Sequence, residues 1–149
     1  RFMIIREGIL KDFPRSVSAA ALEGSSPTGH SLRNGYGSRI ETGLHAPCIA
    51  CGEASIDELF HTCAQGIYIT ELDGLHSGVN PVTGEFSLSA RGYFIEGGKQ
   101  GKPVGHCTIA GNVYDCLRNI VGTADDRRTD TFRRFSSPSV LLESLDVSG

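Results

Sequence analysis

The chain has 149 residues, of which 39% are hydrophobic and 21% charged, a composition that fits a globular domain with a real core. The formal charge of -3 removes any general electrostatic case for nucleic acid or an anionic membrane surface. No apolar run approaches the ~20 residues of a membrane-spanning helix, and no secretory signal is visible.

Glycine is abundant, at 19 residues, without a collagen-like period; scattered glycines imply many turns and close backbone approaches. Five cysteines, odd in number and irregular in spacing, read as thiols of a reducing cytosol and not as a secreted disulfide framework. The chain opens at Arg1 without an initiator Met, so it reads as a piece of something larger.

RFMIIREGILK, from Arg1 to Lys11, predicts a β-hairpin turning at Glu7-Gly8. Asp12 to Ala21 is either an irregular link or a short helix. Glu23 to Thr42 is rich in Gly, Ser, Asn and Thr and reads as a long surface loop, with turn signals at Ser26-Pro27 and Asn34-Gly35. His30, Arg33 and Arg39 lie in it and could meet a ligand or partner, though a solvated loop explains them as well. Cys48 and Cys51 form a CxxC, a spacing used by zinc sites and disulfide exchangers. No second CxxC accompanies it, and His61 and Cys63 follow at no common ligand spacing, so structural thiols are the preferred reading.

Ser55 and Glu58 form an S-x-x-E capping box that opens a helix. Ile56, Leu59, Phe60 and Cys63 give it an apolar face, and Gly66 offers a stop. Gly66 to Leu72 is strand material, followed by turn signals at Asp73-Gly74 and Asn80-Pro81. Between Glu85 and Ile95, Phe86, Leu88 and Ala90 alternate with Ser87, Ser89 and Arg91, the period of a sheet with unlike faces. Glu96 to Lys99 reads as a turn and Pro103 to Ile109 as extended. Asn112 then caps a predicted helix from Val113 to Ile120, with Val113, Leu117 and Ile120 on one face. LLESLDVSG suits one or more short strands.

His76 near Glu71 and Asp73 is the most tempting catalytic or metal-binding group, but spacing along a strand and turn does not make those side chains converge. Ser77 lacks an identified activating histidine. Asn80 and Thr83 read as turn-forming groups. In ADDRRTDTFRRF, Arg127, Arg128, Arg133 and Arg134 are interrupted by Asp125, Asp126 and Asp130. Phe132 and Phe135 could stack bases in principle, but an exposed connector or protein interface is the simpler account.

Taken in order, these segments resemble the C-terminal domain of the PmbA and TldD family, also called the modulator of DNA gyrase family. The likeness rests on SGVNPVTGEFSLSARGYFIEGGK from Ser77 to Lys99, PVGHCTIAGNVYDCLRNIVG from Pro103 to Gly122, and PSVLLESLDVSG from Pro138 to Gly149. GILKDF at Gly8 to Phe13 and SPTGHSLR at Ser26 to Arg33 also fit. The resemblance covers nearly all of residues 1–149 and implies the last third of a larger, cytoplasmic, prokaryotic protein. It further implies a zinc peptidase system, in which TldD-like subunits carry an upstream HExxxH and a later cysteine ligand. PmbA-like partners usually lack that complete set.

This chain has no HExxxH, and VGTADDRRTDTFRRFSS has no cysteine where the TldD type would carry one. Cys107 and Cys116 lie at earlier motif positions and do not inherit that role. The resemblance therefore implies the PmbA-like side, with no catalytic, cofactor or metal residue in this stretch and zinc left to the full-length protein or a partner. The leading expectation is a structural and partner-binding domain of a peptide-processing complex. Its partner would be a TldD-like subunit or another family protomer, with a peptide substrate in reach. The alternative is the C-terminal part of an active zinc metallopeptidase whose HExxxH lies upstream. The expected fold is α+β, mainly antiparallel sheet or barrel-like, with two short helices.

Overall fold

Glycine-punctuated hairpins dominate the chain, and three short helices interrupt them. A computed structural model describes residues 2–132 and 134–149. Arg1, at the head of the predicted first hairpin, and Arg133, in the arginine run, lie outside the described residues. In order the elements are β1 (Ile5–Arg6), β2 (Ile9–Leu10), α1 (Val17–Glu23), β3 (Ser31–Arg33), β4 (Ile40–Thr42), α2 (Ile56–Cys63), β5 (Gln65–Asp73) and β6 (Glu85–Glu96). There follow β7 (Lys99–Asn112), α3 (Val113–Arg118), β8 (Ile120–Thr123), β9 (Arg128–Asp130), β10 (Phe135–Ser137), β11 (Val140–Leu142) and β12 (Asp146–Ser148). They divide into two compact units, one of residues up to Cys48 with Thr129–Ser136, the other of Ile49–Arg128 with Ser137–Gly149.

In the first unit, β1 and β2 pair Ile5 with Leu10 and Arg6 with Ile9. Glu7 and Gly8 between them both take positive φ, 53° and 72°, as a two-residue turn that follows strand twist requires. The segment after Asp12, open between link and helix, forms α1. Ser16 caps it by accepting from the Ala19 amide at 3.2 Å, and Gly24 closes it in the left-handed region.

The expected long loop from Glu23 to Thr42 is corrected. It contains the antiparallel pair β3–β4, with Ser31 opposite Thr42 and Arg33 opposite Ile40. These three-residue strands carry too little apolar alternation to show in the sequence. Their hydroxyls are what engage the helix: Ser31 Oγ accepts from the Val17 amide at 3.2 Å. Thr42 Oγ1 accepts from the Ser16 amide at 3.1 Å and donates to Ser16 Oγ at 2.9 Å. Ser16, only 2% exposed, is thereby a buried polar group with its bonds made.

The second unit is built on an open antiparallel sheet in the order β12-β7-β6-β5. The expected alternation of β6 holds: Leu88 and Ala90 are buried together with Cys107 and Ile109 of β7, and Phe86, Ile69, Val79, Val104 and Leu145 pack around them. Burying a side chain such as Leu88 or Ile109 contributes about 1.5–3 kcal/mol. Gly92 pairs with Ile69, beside the bulge in β5, and a Cβ on it would run into the Tyr68 carbonyl, so only glycine admits this approach. Gly97 and Gly98, at φ 58° and 75°, make the predicted two-residue turn between β6 and β7.

On α2 the predicted capping box is present. Ser55 Oγ accepts from the Glu58 amide at 3.3 Å, and Glu58 Oε2 accepts from the Ser55 amide at 2.7 Å. The helix buries Leu59 and Phe60. It stops two residues before Gly66: Ala64 takes φ 56° and donates its amide to the Phe60 carbonyl at 3.0 Å, while Gly66 already belongs to β5. Likewise α3 ends at Arg118, and Ile120 starts β8, which pairs with β11. The α+β class stands. The barrel-like alternative does not, because β12 and β5 are the two edges of the main sheet; where two short helices were expected, the described residues form three, the added one being α1. The stretch ADDRRTDTFRRF, expected as an exposed connector or interface, carries β9 and leads into β10, with which β9 pairs.

Candidate functional site

Between β5 and β6 the chain makes a corner whose every turn is specified locally. The Gly78 amide reaches the Gly74 carbonyl at 2.8 Å, and the Ser87 amide reaches Gly78 at 2.8 Å. Asn80 Oδ1 then accepts from the amides of Val82 and Thr83 at 2.9 and 3.2 Å. This is the self-bonding that suits Asn to turns. The Asn80 amide and carbonyl close the loop with the Glu85 carbonyl and the Gly84 amide, each at 2.8 Å.

Gly84, at φ 79°, brings the corner onto the start of α3. A Cβ there would stand 2.7 Å from the Tyr114 ring and 3.0 Å from Asn112 Oδ1. Asn112 joins the two parts. Its Nδ2 donates to the Thr83 carbonyl at 2.9 Å, its Oδ1 accepts from the Tyr114 amide at 2.9 Å, and the Val113 amide donates to the Gly84 carbonyl at 2.9 Å. The corner is a clasp holding α3 on the β6–β7 hairpin.

The residues singled out for chemistry fall elsewhere than in one site. Glu71 and Asp73 are directed at Arg91, at 3.5 and 3.8 Å, and not gathered with exposed His76. Arg91 is their partner: the β6 alternation turns it away from the core, but its place opposite Glu71 is set by the β5–β6 register, which the sequence does not show. His61 packs on the β6–β7 turn, where a Gly98 Cβ would stand 2.6 Å from His61 Nδ1. His30 bonds through Nδ1 to Thr28 Oγ1 at 2.8 Å and lies 4.6 Å from the Phe2 ring. Cys48 is exposed and bridges to Ser136, Cys51 is half-buried, and Cys107 is in the core. Thr83 Oγ1 donates to Glu85 Oε2 at 3.1 Å. Among the described residues no three His, Cys, Asp or Glu side chains are placed to hold a metal ion, so these donors do not fit a zinc centre.

Two features escaped the sequence reading. Asp126 clamps the segment before β11: its Oδ1 accepts from the Ser139 amide and its Oδ2 from the Ser139 hydroxyl, both at 2.7 Å. Burial alone would raise the Asp126 carboxyl, but the two Ser139 bonds, with Arg128 at 3.8 Å, hold it below the usual carboxylate range. The neighbouring Ala124, fully buried, accepts from the Gly52 amide and donates to the Ser139 carbonyl. Three chain segments are fastened at this point.

The second feature is an apolar groove of about 500 Å³, lined by Leu59 and Phe60 of α2, Ile67 and Ile69 of β5, and Leu141 and Leu145 near the C-terminus. Tyr68 stands at it edge-on to Phe60, with ring centres 5.2 Å apart, and its hydroxyl accepts from Arg128 at 3.3 Å. Such a groove can take apolar side chains of a protein or peptide; Cys63 and Glu143 also line it.

The family model of the PmbA/TldA metallopeptidase C-terminal domain matches residues 1–149. Metalloprotease PmbA of Escherichia coli O157:H7 is 33% identical over 146 residues, which is 98% of this chain and 29% of that protein. The metalloprotease TldD homolog of Haemophilus influenzae is 30% identical over 129 residues, 86% of this chain and 26% of its own. A candidate modulator of a DNA gyrase from Thermotoga maritima MSB8 superposes with a TM-score of 0.84 at 36% identity, covering 97% of this chain and 32% of that one. TldE from Thermococcus kodakarensis superposes with a TM-score of 0.87 at 26% identity, covering 98% and 33%. The chain thus spans a third or less of these relatives, and PmbA-named and TldD-named proteins both match it.

Proposed function

The chain belongs to the PmbA/TldD family as its C-terminal domain, and from that premise we propose that it is a non-catalytic support and docking domain of a peptidase complex. On this reading it stands on the PmbA-like side, works in the cytoplasm, and joins a TldD-like subunit that supplies zinc and the hydrolytic step. The observation that carries the reading is the stretch after α3. Where the TldD type is expected to place a cysteine ligand, this chain has β8, the Asp126–Ser139 clamp and the β9–β10 pair, with no cysteine beyond Cys116.

Zinc-assisted hydrolysis needs several converging donors, an activated water and a base. Among the described residues no three such donors converge, and Glu71, Asp73 and Asp126 are engaged in ion pairs and the Ser139 clamp. Its contribution is therefore burial of apolar surface with a polar rim that sets orientation, for which the groove beside α2 and β5 is suited. In relatives named metalloproteases the metal-binding segment would lie outside the part that this chain matches.

The test is peptide hydrolysis by the purified chain, with a chelator and with added zinc. No chelator-sensitive cleavage is expected. Cleavage that chelation abolishes and zinc restores, in preparations free of other proteases, overturns the non-catalytic reading and favours an active metallopeptidase.

A further inference from the structure

Four asparagines occur in the chain, at 34, 80, 112 and 119, and the fold treats one of them differently. Asparagine is lost when the next residue's backbone nitrogen attacks its side-chain carbonyl carbon. That attack needs a follower with a nitrogen that is free to turn inward and a side chain that is free to rotate. Asn80 is followed by Pro81, which has no N–H, and its Oδ1 is held by two amides. Asn112 is held through both side-chain atoms, and the Val113 amide is committed to the Gly84 carbonyl. Asn119 precedes β-branched Ile120 at the start of β8, where the stiff side chain crowds the approach.

Asn34 precedes Gly35 in the exposed connection 34–39 between β3 and β4. Nothing lies within 4 Å of the position a Gly35 Cβ would occupy. The loop is held at the Gly35 carbonyl, which accepts from the Ser38 amide and hydroxyl at 3.2 and 2.9 Å. The Asn34 carboxamide makes no hydrogen bond among the described residues. Glycine supplies the least hindered nitrogen and the backbone freedom that ring closure needs.

We propose that Asn34-Gly35 is a built-in deamidation site of this domain, with water as co-reactant. The Gly35 nitrogen, its proton taken by hydroxide, bonds to Asn34 Cγ. The Cγ–Nδ2 bond breaks and Nδ2 leaves as ammonia, taking a proton from water. The resulting succinimide then adds water at either carbonyl. Opening at Cγ gives aspartate; opening at the backbone carbonyl gives isoaspartate. The net change is asparagine and water to a carboxylic acid and ammonia, with no oxidation. The new carboxylate falls between Arg33 and Arg39 and makes the formal charge one unit more negative. The isoaspartyl product also lengthens the main chain next to the closing β3–β4 pair, Arg33 opposite Ile40.

Asp73-Gly74 is the other sequence prone to this ring closure. It is restrained, because Asp73 ends β5 in contact with Arg91 at 3.8 Å.

The experiment incubates the full chain at mildly alkaline pH beside the free peptide of residues 31–39. Peptide mapping by mass spectrometry and isoaspartyl methyl transfer read the products. Acid and isoacid forms should accumulate at Asn34, on the time scale of the free peptide, with Asn80, Asn112 and Asn119 unchanged. Asn34→Gln should remove the signal, and Gly35→Ala should slow it by an order of magnitude. An Asn34 amide that persists in the folded chain after the peptide has converted overturns the proposal. So does conversion at the other three asparagines at the same rate.

Discussion

Gly84→Ala is the substitution that measures what the corner does. Two costs add there. A φ of 79° places a residue with a Cβ in the left-handed region, at about 1–2 kcal/mol. The new methyl would also sit 2.7 Å from the Tyr114 ring, well inside the ordinary 3.5–4.0 Å separation of carbon atoms, and overpacking of this kind costs about 1–3 kcal/mol. Tyr114 is half exposed and can swing outward. Its amide, though, is bonded to Asn112, which also holds Thr83, so displacement of the ring loosens the clasp. The sum is about 2–5 kcal/mol.

Gly97→Ala is the control. It has a similar φ of 58° and open space around its Cβ, so it carries the backbone cost alone. Urea unfolding followed by circular dichroism suits a chain without tryptophan, and midpoints convert to free energy through the slope. Gly84→Ala should be the less stable of the two by about 1–3 kcal/mol. Combining it with Tyr114→Ala should recover most of that difference as a coupling energy. Equal losses for the two glycine variants, or no coupling to Tyr114, refute the clasp.

Two further predictions concern the other fastenings. Asp126 is held below its usual pKa, so its stabilisation is full above the unfolded value of about 3.9 and fades as pH falls from there through the folded value. Asp126→Asn should cost about 1–3 kcal/mol at neutral pH and flatten that acid limb in unfolding curves taken from neutral to strongly acid pH; an unchanged acid limb counts against the clamp. Ser55→Ala removes the α2 cap and should cost about 1 kcal/mol, read by urea unfolding. A loss within error would mean that packing of Leu59 and Phe60 alone holds the helix.

Much of this architecture was legible because short-range chemistry wrote it. The β6 alternation, the Ser55–Glu58 box, the Asn112 cap and the Gly97-Gly98 turn each depend on residues within a few positions of one another. The β3–β4 pair escaped, since its strands are three residues long and find their partners at the start of α1, a contact between segments far apart in sequence. The Asp126–Ser139 clamp and the Arg91 ion pairs escaped for the same reason. The early end of α2 had no sequence signal: Ala64, a residue with little liking for positive φ, takes the turn that Gly66 was better built to make. At the tempting His76, register decided the outcome, because Glu71 and Asp73 face Arg91 across the sheet.

Support of a catalytic partner is tested by titrating this chain into a purified TldD-like subunit, with binding and peptide cleavage followed together. Saturable binding is predicted, with cleavage that changes as the chain is added, remains zinc-dependent, and is weakened by charged substitutions at Ile67 or Leu141 in the groove. A monodisperse chain that neither binds such a subunit nor alters its cleavage contradicts the support role.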